Sequence, residues 1–386
     1  MKKIALVLSG GGFKGAFQVG ALDYLRENWS SIAPNRPPLD FDIVAGVSVG
    51  SLNGLLVALG RFDVLKKLWD DVAERGVQEI YTSDFIDTTA GPDTPNPELK
   101  VNLDLDALRR HFPRTTRNLL LRAVFNRKGI FRDFQQEFQR FRAVADNTPL
   151  RNKLLGLARR NQIKDTIYKC GFVSLNTGKY YSLRQDEFKS DTDFAKGVLA
   201  STAMPIVWSP VDEIETVNGT LKNVIDGGIR AVSPLGDVIK EIVRDGSPED
   251  YTIIIINCSS GKVAEENFGD KNIVQIALRS LVDIAITEIF NNDIREFVDK
   301  NYILSQVRDK YPDEDIYDYD YDSGGRGNKL KFFNALIIQP ETNVLGDTLT
   351  ASKSQIEYRT AHGRARAEIA LRRHLNDKQE NKFTVV

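Results

Sequence analysis

The chain has 386 residues, a formal net charge of -1 and only two cysteines. This length suffices for one large domain or two, each with a buried core. The charge balance excludes neither membranes nor nucleic acid, but it lacks the overall basic character of many nucleic-acid-binding proteins, and no nucleic-acid partner is predicted. Cys170 and Cys258 lie in apolar runs without metal-binding spacing. They are interpreted as small core residues of a protein in a reducing compartment.

Segments for export or membrane insertion are not evident in the sequence. The apolar run after Met1-Lys2-Lys3 extends only over 4–8, whereas the apolar part of an export signal needs about 7–15 residues. No stretch reaches the 18 apolar residues of a spanning helix. We therefore expect a soluble, cytoplasmic protein. The sequence leaves peripheral membrane contact open and does not indicate an oligomeric state.

The first elements alternate between strand and helix. The β-branched and aliphatic run over 3–8 predicts a buried strand, and helical spacing covers 16–27. A second strand is predicted over 41–47 and a second helix over 51–59. Strand–helix repeats of this kind indicate an α/β fold with a mostly parallel central sheet.

Later segments extend the same pattern. Asn218-Gly219 between two alternating runs predicts a hairpin of strands 211–217 and 221–225. Further buried strands are predicted over 166–175, 251–258 and 332–339, and long helices over 272–307 and 352–375.

Two segments are unusual in charge. Residues 105–160 contain fourteen basic and four acidic residues, with phenylalanines at helical spacing: Phe131, Phe134, Phe138 and Phe141. They form either an amphipathic surface for anionic lipid or a helix that packs its Phe stripe on the core. Residues 313–322 contain six acidic residues, no basic ones and interleaved tyrosines. This composition predicts a mobile surface loop, which could dock on the basic segment.

Ser48 is the strongest nucleophile candidate. It lies in Gly46-Val47-Ser48-Val49-Gly50, directly between the second strand and the second helix. Glycines at 46 and 50 allow a sharp turn that projects the hydroxyl at a helix N-terminus, where developing negative charge is stabilised. The motif is common by itself, and its strand–turn–helix setting makes it informative.

The glycine-rich loop over 9–15 has two interpretations. Gly10, Gly12 and Gly15 match the dinucleotide-binding pattern G-x-G-x-x-G. That function requires an acidic residue at the end of the second strand, but Asp40 and Asp42 lie at its beginning. The alternative is an oxyanion hole, in which backbone amides of Gly10, Gly11 and Gly12 face a negative atom and Lys14 adds charge. Parallel strands would bring this loop beside Ser48.

A serine nucleophile also needs a base. The three histidines are His111 in the basic segment and His362 and His374 in a charged helix, where surface positions are expected. Asp226-Gly227-Gly228 follows a strand and places a carboxylate on a tight turn, although Asp-Gly is also an ordinary turn dipeptide. Asp226 is the better candidate, because a carboxylate can act as the base in a dry site with an oxyanion hole.

In combination, these motifs resemble those of patatin-like phospholipases. The resemblance rests on residues 8–15, 46–50 and 226–228 in this order, with 200–205 similar to the segment that precedes the family's aspartate. It covers about residues 4–240 and implies a three-layer α/β/α fold. It also implies a Ser48–Asp226 dyad, an oxyanion loop of Gly10–Gly12 with Lys14, and Gly15, Gly46, Gly50, Gly227 and Gly228 as motif glycines.

The implied activity is a serine acyl hydrolase, of phospholipase A or lysophospholipase type, that releases fatty acids from lipid esters through an acyl-enzyme. No metal or other cofactor is implied. We expect a catalytic domain over 4–240 with the basic insert, and a region over 241–386 packed on the same core. Three alternatives stay open. They are an acyltransferase or thioesterase, an α/β-hydrolase with the order Ser48, Asp226, His362, and a non-catalytic lipid-binding protein.

Overall fold

The structure is a computed structural model, which describes residues 3–86, 101, 142–246, 251–311, 314–320, 323–377 and 383–386. Most of the basic segment, including His111 and the Phe stripe, lies outside the described residues. The predictions for it stay predictions.

A mostly parallel sheet of nine strands forms the centre of the molecule. The nine strands are β1 (Lys3–Leu8), β2 (Ile43–Val47), β3 (Ile167–Ser174), β4 (Tyr180–Arg184), β5 (Val211–Thr216), β6 (Gly219–Asp226), β7 (Tyr251–Ile256), β10 (Asn334–Ile338) and β11 (Phe383–Val385). Six neighbouring strands are parallel, in the order β11-β10-β7-β1-β2-β3, and β4, β5 and β6 add antiparallel pairs at one side. A separate two-stranded sheet contains β8 (Tyr317–Asp320) and β9 (Gly325–Lys329).

Helices cover both faces of the sheet, which gives the predicted three-layer α/β/α architecture. They are α1 (Ala16–Glu27), α2 (Val49–Ala58), α3 (Phe62–Arg75), α4 (Thr148–Leu157), α5 (Asp191–Ser201), α6 (Leu235–Asp245), α7 (Ile273–Leu278), α8 (Ile286–Lys310) and α9 (Lys353–Asn376). A π-helical turn, Arg279–Ala285, joins α7 to α8.

The two hydrophobic layers follow from side-chain alternation along the strands. On one face, Leu6 and Leu8 of β1 pack in a cluster with residues of α1, α2 and α9. On the other face, Ala5 and Val7 pack with residues of α6 and α8. The strands β7, β10 and β11, which follow residue 240 in the chain, lie in the same sheet as β1. Strands from both sides of residue 240 therefore belong to the sheet that separates the two hydrophobic layers.

The C-terminal helix α9 lies unusually close to α1. A Cβ atom at Gly20 would overlap the carbonyl of Thr360, and one at Gly363 would overlap the carbonyl of Phe17. The two glycines therefore permit backbone-to-backbone contact between the helices. This contact joins the end of the chain to the helix that follows the glycine-rich loop.

Two predictions were wrong in detail. Part of the acidic segment forms β8 instead of a loop, and its hairpin partner supplies Arg326, which lies 3.5 Å from the ring centroid of Tyr317. Lys329 also pairs with Asp315. The single helix expected over 272–307 contains the π-helical turn. The core position of Cys170 and Cys258 is confirmed, since both are buried.

None of the helices in the described ranges combines the length and the apolar character that crossing a bilayer requires.

Candidate active site

The sheet register brings the predicted site segments to one edge. Leu8 at the end of β1 is paired with Gly46 near the end of β2, so the glycine-rich loop and Ser48 emerge side by side. On the other side of β2, Val47 is paired with Gly171, and the next residue, Phe172, is paired with Asp226 of β6. The neighbourhood predicted for the first two strand ends is thus confirmed, and Asp226 lies two strands from Ser48.

Ser48 occupies a strained turn between β2 and α2. Its φ of 55° and ψ of -130° are rarely adopted by residues with a side chain. A Cβ atom at Gly46 would overlap the backbone of Gly50, and one at Gly50 would overlap the carbonyl of Leu8. The motif glycines are thus required by close backbone contacts. The turn leaves Ser48 as the buried N-cap of α2, on the wall of a cavity.

Ser201 holds this turn in place, which sequence reasoning did not reveal. Its hydroxyl accepts a hydrogen bond from the Ser48 amide at 3.0 Å and donates one to the Gly171 carbonyl at 2.6 Å. Ser201 is fully buried at the end of α5. The only available signal was its place in the Ala-Ser-Thr-Ala-Met-Pro segment, where the similarity gave no role to an individual residue.

We expect Ser201→Ala to lower stability by about 1–3 kcal/mol, because it leaves the Ser48 amide buried without an acceptor. Turnover at Ser48 should fall as well, because the turn is no longer fixed. Chemical denaturation and kcat measurements test this. Ser174→Ala is the matched control, since Ser174 is also buried but donates to the Lys222 carbonyl. An equal loss of kcat in both variants would contradict the assigned role.

Asp226 is buried at the end of β6 and lines the same cavity as Ser48. Burial raises the pKa of its carboxyl to about 7, although hydrogen bonds from the Gly228 amide and the Ser48 side chain act in the opposite direction. The Gly228 amide donates at 2.7 Å, and the Asp226 amide donates to the Ala203 carbonyl at 3.0 Å. The carboxyl is thus held by its own turn and can change its protonation state near neutral pH.

The glycine-rich loop presents fewer donors than the sequence predicted. The Gly10 amide donates to the Val232 carbonyl at 2.9 Å, and the Lys14 amide donates to the Gly11 carbonyl at 3.1 Å. Among the described residues, no acceptor is found for the amides of Gly11 and Gly12, whose φ angles are 157° and 53°. A Cβ atom at position 10 would lie 3.2 Å from the Ser48 Cβ, so the loop directly adjoins the hydroxyl.

Two further contacts fix the glycine-rich loop. The Phe13 amide donates to the Thr348 carbonyl at 2.9 Å. The fully buried guanidinium of Arg359 on α9 holds the segment around Thr348 by donating to the carbonyls of Leu345, Asp347 and Thr350 at 2.7–3.1 Å. These residues come late in the chain, where the sequence gave no site prediction.

On the inner side of the loop, a buried amide network supports the backbone. Gln18 donates to the Ser9 carbonyl at 2.9 Å and accepts from the Asn53 side chain at 2.8 Å. The Trp69 indole N–H donates to the side-chain oxygen Oδ1 of Asn53 at 3.0 Å. This network connects α1, α2 and α3 directly below the glycine-rich loop.

Lys14 lines the same cavity as Ser48 and Asp226. Burial lowers its pKa, whereas the carboxylates of Asp283 and Asp347 act in the opposite direction. Its side chain lines both the cavity of Ser48 and a larger polar cavity that adjoins it. Lys14 is thus placed at the site and its amide is engaged by the Gly11 carbonyl, while its contribution of positive charge stays a prediction.

An apolar cavity begins at Ser48 on the side away from Lys14. Most of its wall comes from α2, α3 and α4, and leucine is the most frequent residue in it, with Trp69 and Trp208. The leucines are Leu52, Leu55, Leu56, Leu65, Leu68, Leu150, Leu154 and Leu157. A cavity with this lining suits a hydrocarbon chain.

The two histidines in the described part of the chain lie away from the Ser48 cavity. His362 Nε2 accepts a hydrogen bond from the Glu341 amide at 3.2 Å, and its ring is stacked on Tyr358. His374 Nδ1 is 3.2 Å from the Thr384 hydroxyl. The order Ser48, Asp226, His362 is therefore not assembled, whereas Asp226 lines the same cavity as the serine.

Comparison with known proteins places these residues in context. A family model described as patatin-like phospholipase matches residues 6–239. Among solved structures, VipD from Legionella pneumophila is similar at 15% identity and a TM-score of 0.42, covering 97% of this chain and 67% of that chain. The type III effector protein ExoU is similar at 14% identity and a TM-score of 0.33, covering 98% of this chain and 54% of that chain. The search of curated proteins gave no match.

Proposed function

The chain belongs to the patatin-like phospholipase family, and from this premise we propose that it hydrolyses phospholipid acyl esters through Ser48 and Asp226. Family membership supports lipid acyl hydrolase activity in general. The specific proposal depends on one observation: a serine in a strained turn lines the same cavity as a buried carboxyl of raised pKa.

In the proposed first step, ionised Asp226 accepts the Ser48 proton as Oγ bonds to the acyl carbonyl carbon. The amides of Gly11 and Gly12, which have no acceptor among the described residues, donate to the resulting oxyanion. Donors aimed at such an oxygen are each worth about 3–4 kcal/mol of transition-state stabilisation. The ester C–O bond then breaks, and the leaving alcohol takes the proton from Asp226.

In the second step, water attacks the acyl-Ser48 carbonyl while Asp226 accepts a water proton. Collapse of the tetrahedral intermediate releases the fatty acid and returns the proton to Ser48. The apolar cavity at Ser48 supports a long acyl chain as the part of the substrate that is held during both steps. The polar cavity on the Lys14 side supports a charged headgroup there.

A lipid panel tests this assignment. The protein is incubated with phosphatidylcholine, lysophosphatidylcholine, triacylglycerol and a short-chain ester, and released fatty acid is measured by mass spectrometry. We expect long-chain phospholipids or lysophospholipids to be cleaved with the highest kcat/KM. A preference for the short-chain ester would contradict the acyl role of the apolar cavity. No hydrolysis by folded protein would contradict the proposal.

A further inference from the structure

We propose that Asp293 is a positioning residue of the active site, which fixes the turn after Asp226 and, through one peptide group, the glycine-rich loop. This inference rests on the proposed function. Asp293 lies on α8, beyond the segment matched by the family model, and does not itself line the Ser48 cavity.

The Asp293 carboxylate binds two successive backbone amides of the segment that follows Asp226. Its Oδ2 atom accepts from the Val232 amide at 3.0 Å and from the Ser233 amide at 3.2 Å. At the start of the segment, the amides of Arg230 and Ala231 return to the Gly227 carbonyl. The segment is therefore held at both ends, by its own short turn and by Asp293.

The second contact continues directly into the glycine-rich loop. The Val232 carbonyl and the Ser233 amide belong to the same peptide group. Its N–H is bound by Asp293, while its C=O accepts the Gly10 amide at 2.9 Å. A charged acceptor on the N–H of a peptide polarises the group and strengthens the hydrogen bond accepted by its C=O. Asp293 thus stabilises the position of Gly10, which adjoins Ser48.

The helix itself supports this role. Phe290 lies about one helical turn before Asp293 on α8 and lines the Ser48 cavity, as do Ile286 and Thr287. Phe290 and Ile294 are buried against the sheet, so this part of α8, which carries Asp293, is held in place. Because Asp293 is anchored in this way, it fixes both the segment after Asp226 and the glycine-rich loop relative to α8.

The ionisation of Asp293 is compatible with this arrangement. Burial raises the pKa of its carboxyl to about 6, the amides of Ser233 and Val232 act against that rise, and the charges of Asp237 and Glu296 add to it. At pH 8 the group is therefore mostly ionised.

The test compares Asp293→Ala, Asp293→Asn and the control Glu296→Ala. Glu296 lies on the same helix and pairs with Lys300 at the surface. Each protein is assayed at pH 8 for kcat and KM on a phospholipid, for the rate of Ser48 labelling by a fluorophosphonate, and for Tm. For Asp293→Ala we expect kcat and the labelling rate to fall by about 10- to 100-fold with KM nearly unchanged. Asp293→Asn, which keeps an acceptor oxygen but loses its charge, should recover only part of this loss, and Glu296→Ala should match the wild type.

A lower Tm with unchanged kcat per labelled active site would show that Asp293 only stabilises the fold, and would overturn the inference. If Asp293→Ala does not fold, Asp293→Glu is used, since it keeps the charge but moves the acceptor by one methylene. A folded Asp293→Glu protein with reduced kcat supports the inference, and one with wild-type kcat overturns it. Failure of the proposed function is distinguishable, because the wild type itself would then neither hydrolyse lipid nor be labelled, and the inference would fall with it.

Discussion

Replacing Ser48 by alanine is expected to lower fatty-acid release by at least about 10³-fold, the scale seen when a catalytic nucleophile is removed. The fold should be kept, because the Ser48 amide still donates to Ser201. Steady-state hydrolysis of a phospholipid gives the rate, and circular dichroism gives the folded state.

Two further variants make the Ser48 result specific. Ser48→Gly should be as inactive as Ser48→Ala but more stable than Ser48→Ala by about 1 kcal/mol, because glycine adopts the strained φ of 55° without a side-chain penalty. Ser259→Ala is the matched control, since Ser259 lines the same cavity and its hydroxyl accepts from the Gly261 amide. A Ser48→Ala protein that keeps most of its activity, or a Ser259→Ala protein that loses as much, would exclude Ser48 as the nucleophile.

Replacing Asp226 by asparagine is expected to lower kcat by about 10²- to 10⁴-fold, the usual contribution of a general base. The asparagine oxygen can still accept the Gly228 amide, so the turn should be retained. In the wild type, hydrolysis should increase as the pH rises through about 7, since the base acts in its ionised form and its pKa lies near that value. A pH–rate profile with no inflection between 6 and 8 would contradict the assignment.

The same substitution should stabilise the protein above neutral pH. Because folding raises the pKa of Asp226 from 3.8 to about 7, the folded state binds its proton more tightly than the unfolded state. The resulting stability is fully present below pH 3.8 and is lost as the pH rises through about 7. Asp226→Asn removes this loss, so its Tm should exceed that of the wild type at pH 8 and not at pH 4. Equal Tm differences at both pH values would show that Asp226 titrates normally.

The sequence predicted the first elements closely, because their hydrophobic patterns are simple. The predicted bounds of β1 and α1 coincide with the observed ones. The second strand begins at Ile43 instead of Phe41, since the Asp42 side chain turns back to accept the Ile4 amide. Helix α2 begins at Val49 instead of Ser51, because the sharp turn leaves Ser48 as its N-cap.

Other features depend on packing that hydrophobic patterns do not encode. Residues 272–307 appear as one helix in sequence. In the structure, Leu278 and Val282 pack in one cluster and Phe290 and Ile294 in another, and the π-helical turn, which contains Val282, marks the change from the first cluster to the second. The acidic segment forms β8 because Arg326 and Lys329 reach it from the hairpin partner. The sequence predicted a loop from net charge alone.

The candidate site was predictable to the extent that its residues lie in local motifs. Ser48, Asp226 and the glycine-rich loop meet as their strand ends imply. Which amides are available could not be predicted, since the partner of Gly10 is the carbonyl of Val232. Ser201 and Asp293 were missed because each acts on backbone groups that are distant in sequence. The boundary near residue 240 stays a prediction, with strands of one sheet on both sides of it.

Peptide mapping after reaction with a fluorophosphonate tests the central claim most directly. On folded wild-type protein we predict a single adduct on the peptide that contains Ser48, formed more slowly when phospholipid is present. Asp226→Asn should form the same adduct at a much lower rate. Labelling at another residue of a protein that hydrolyses lipid, or no labelling of such a protein, would contradict the account.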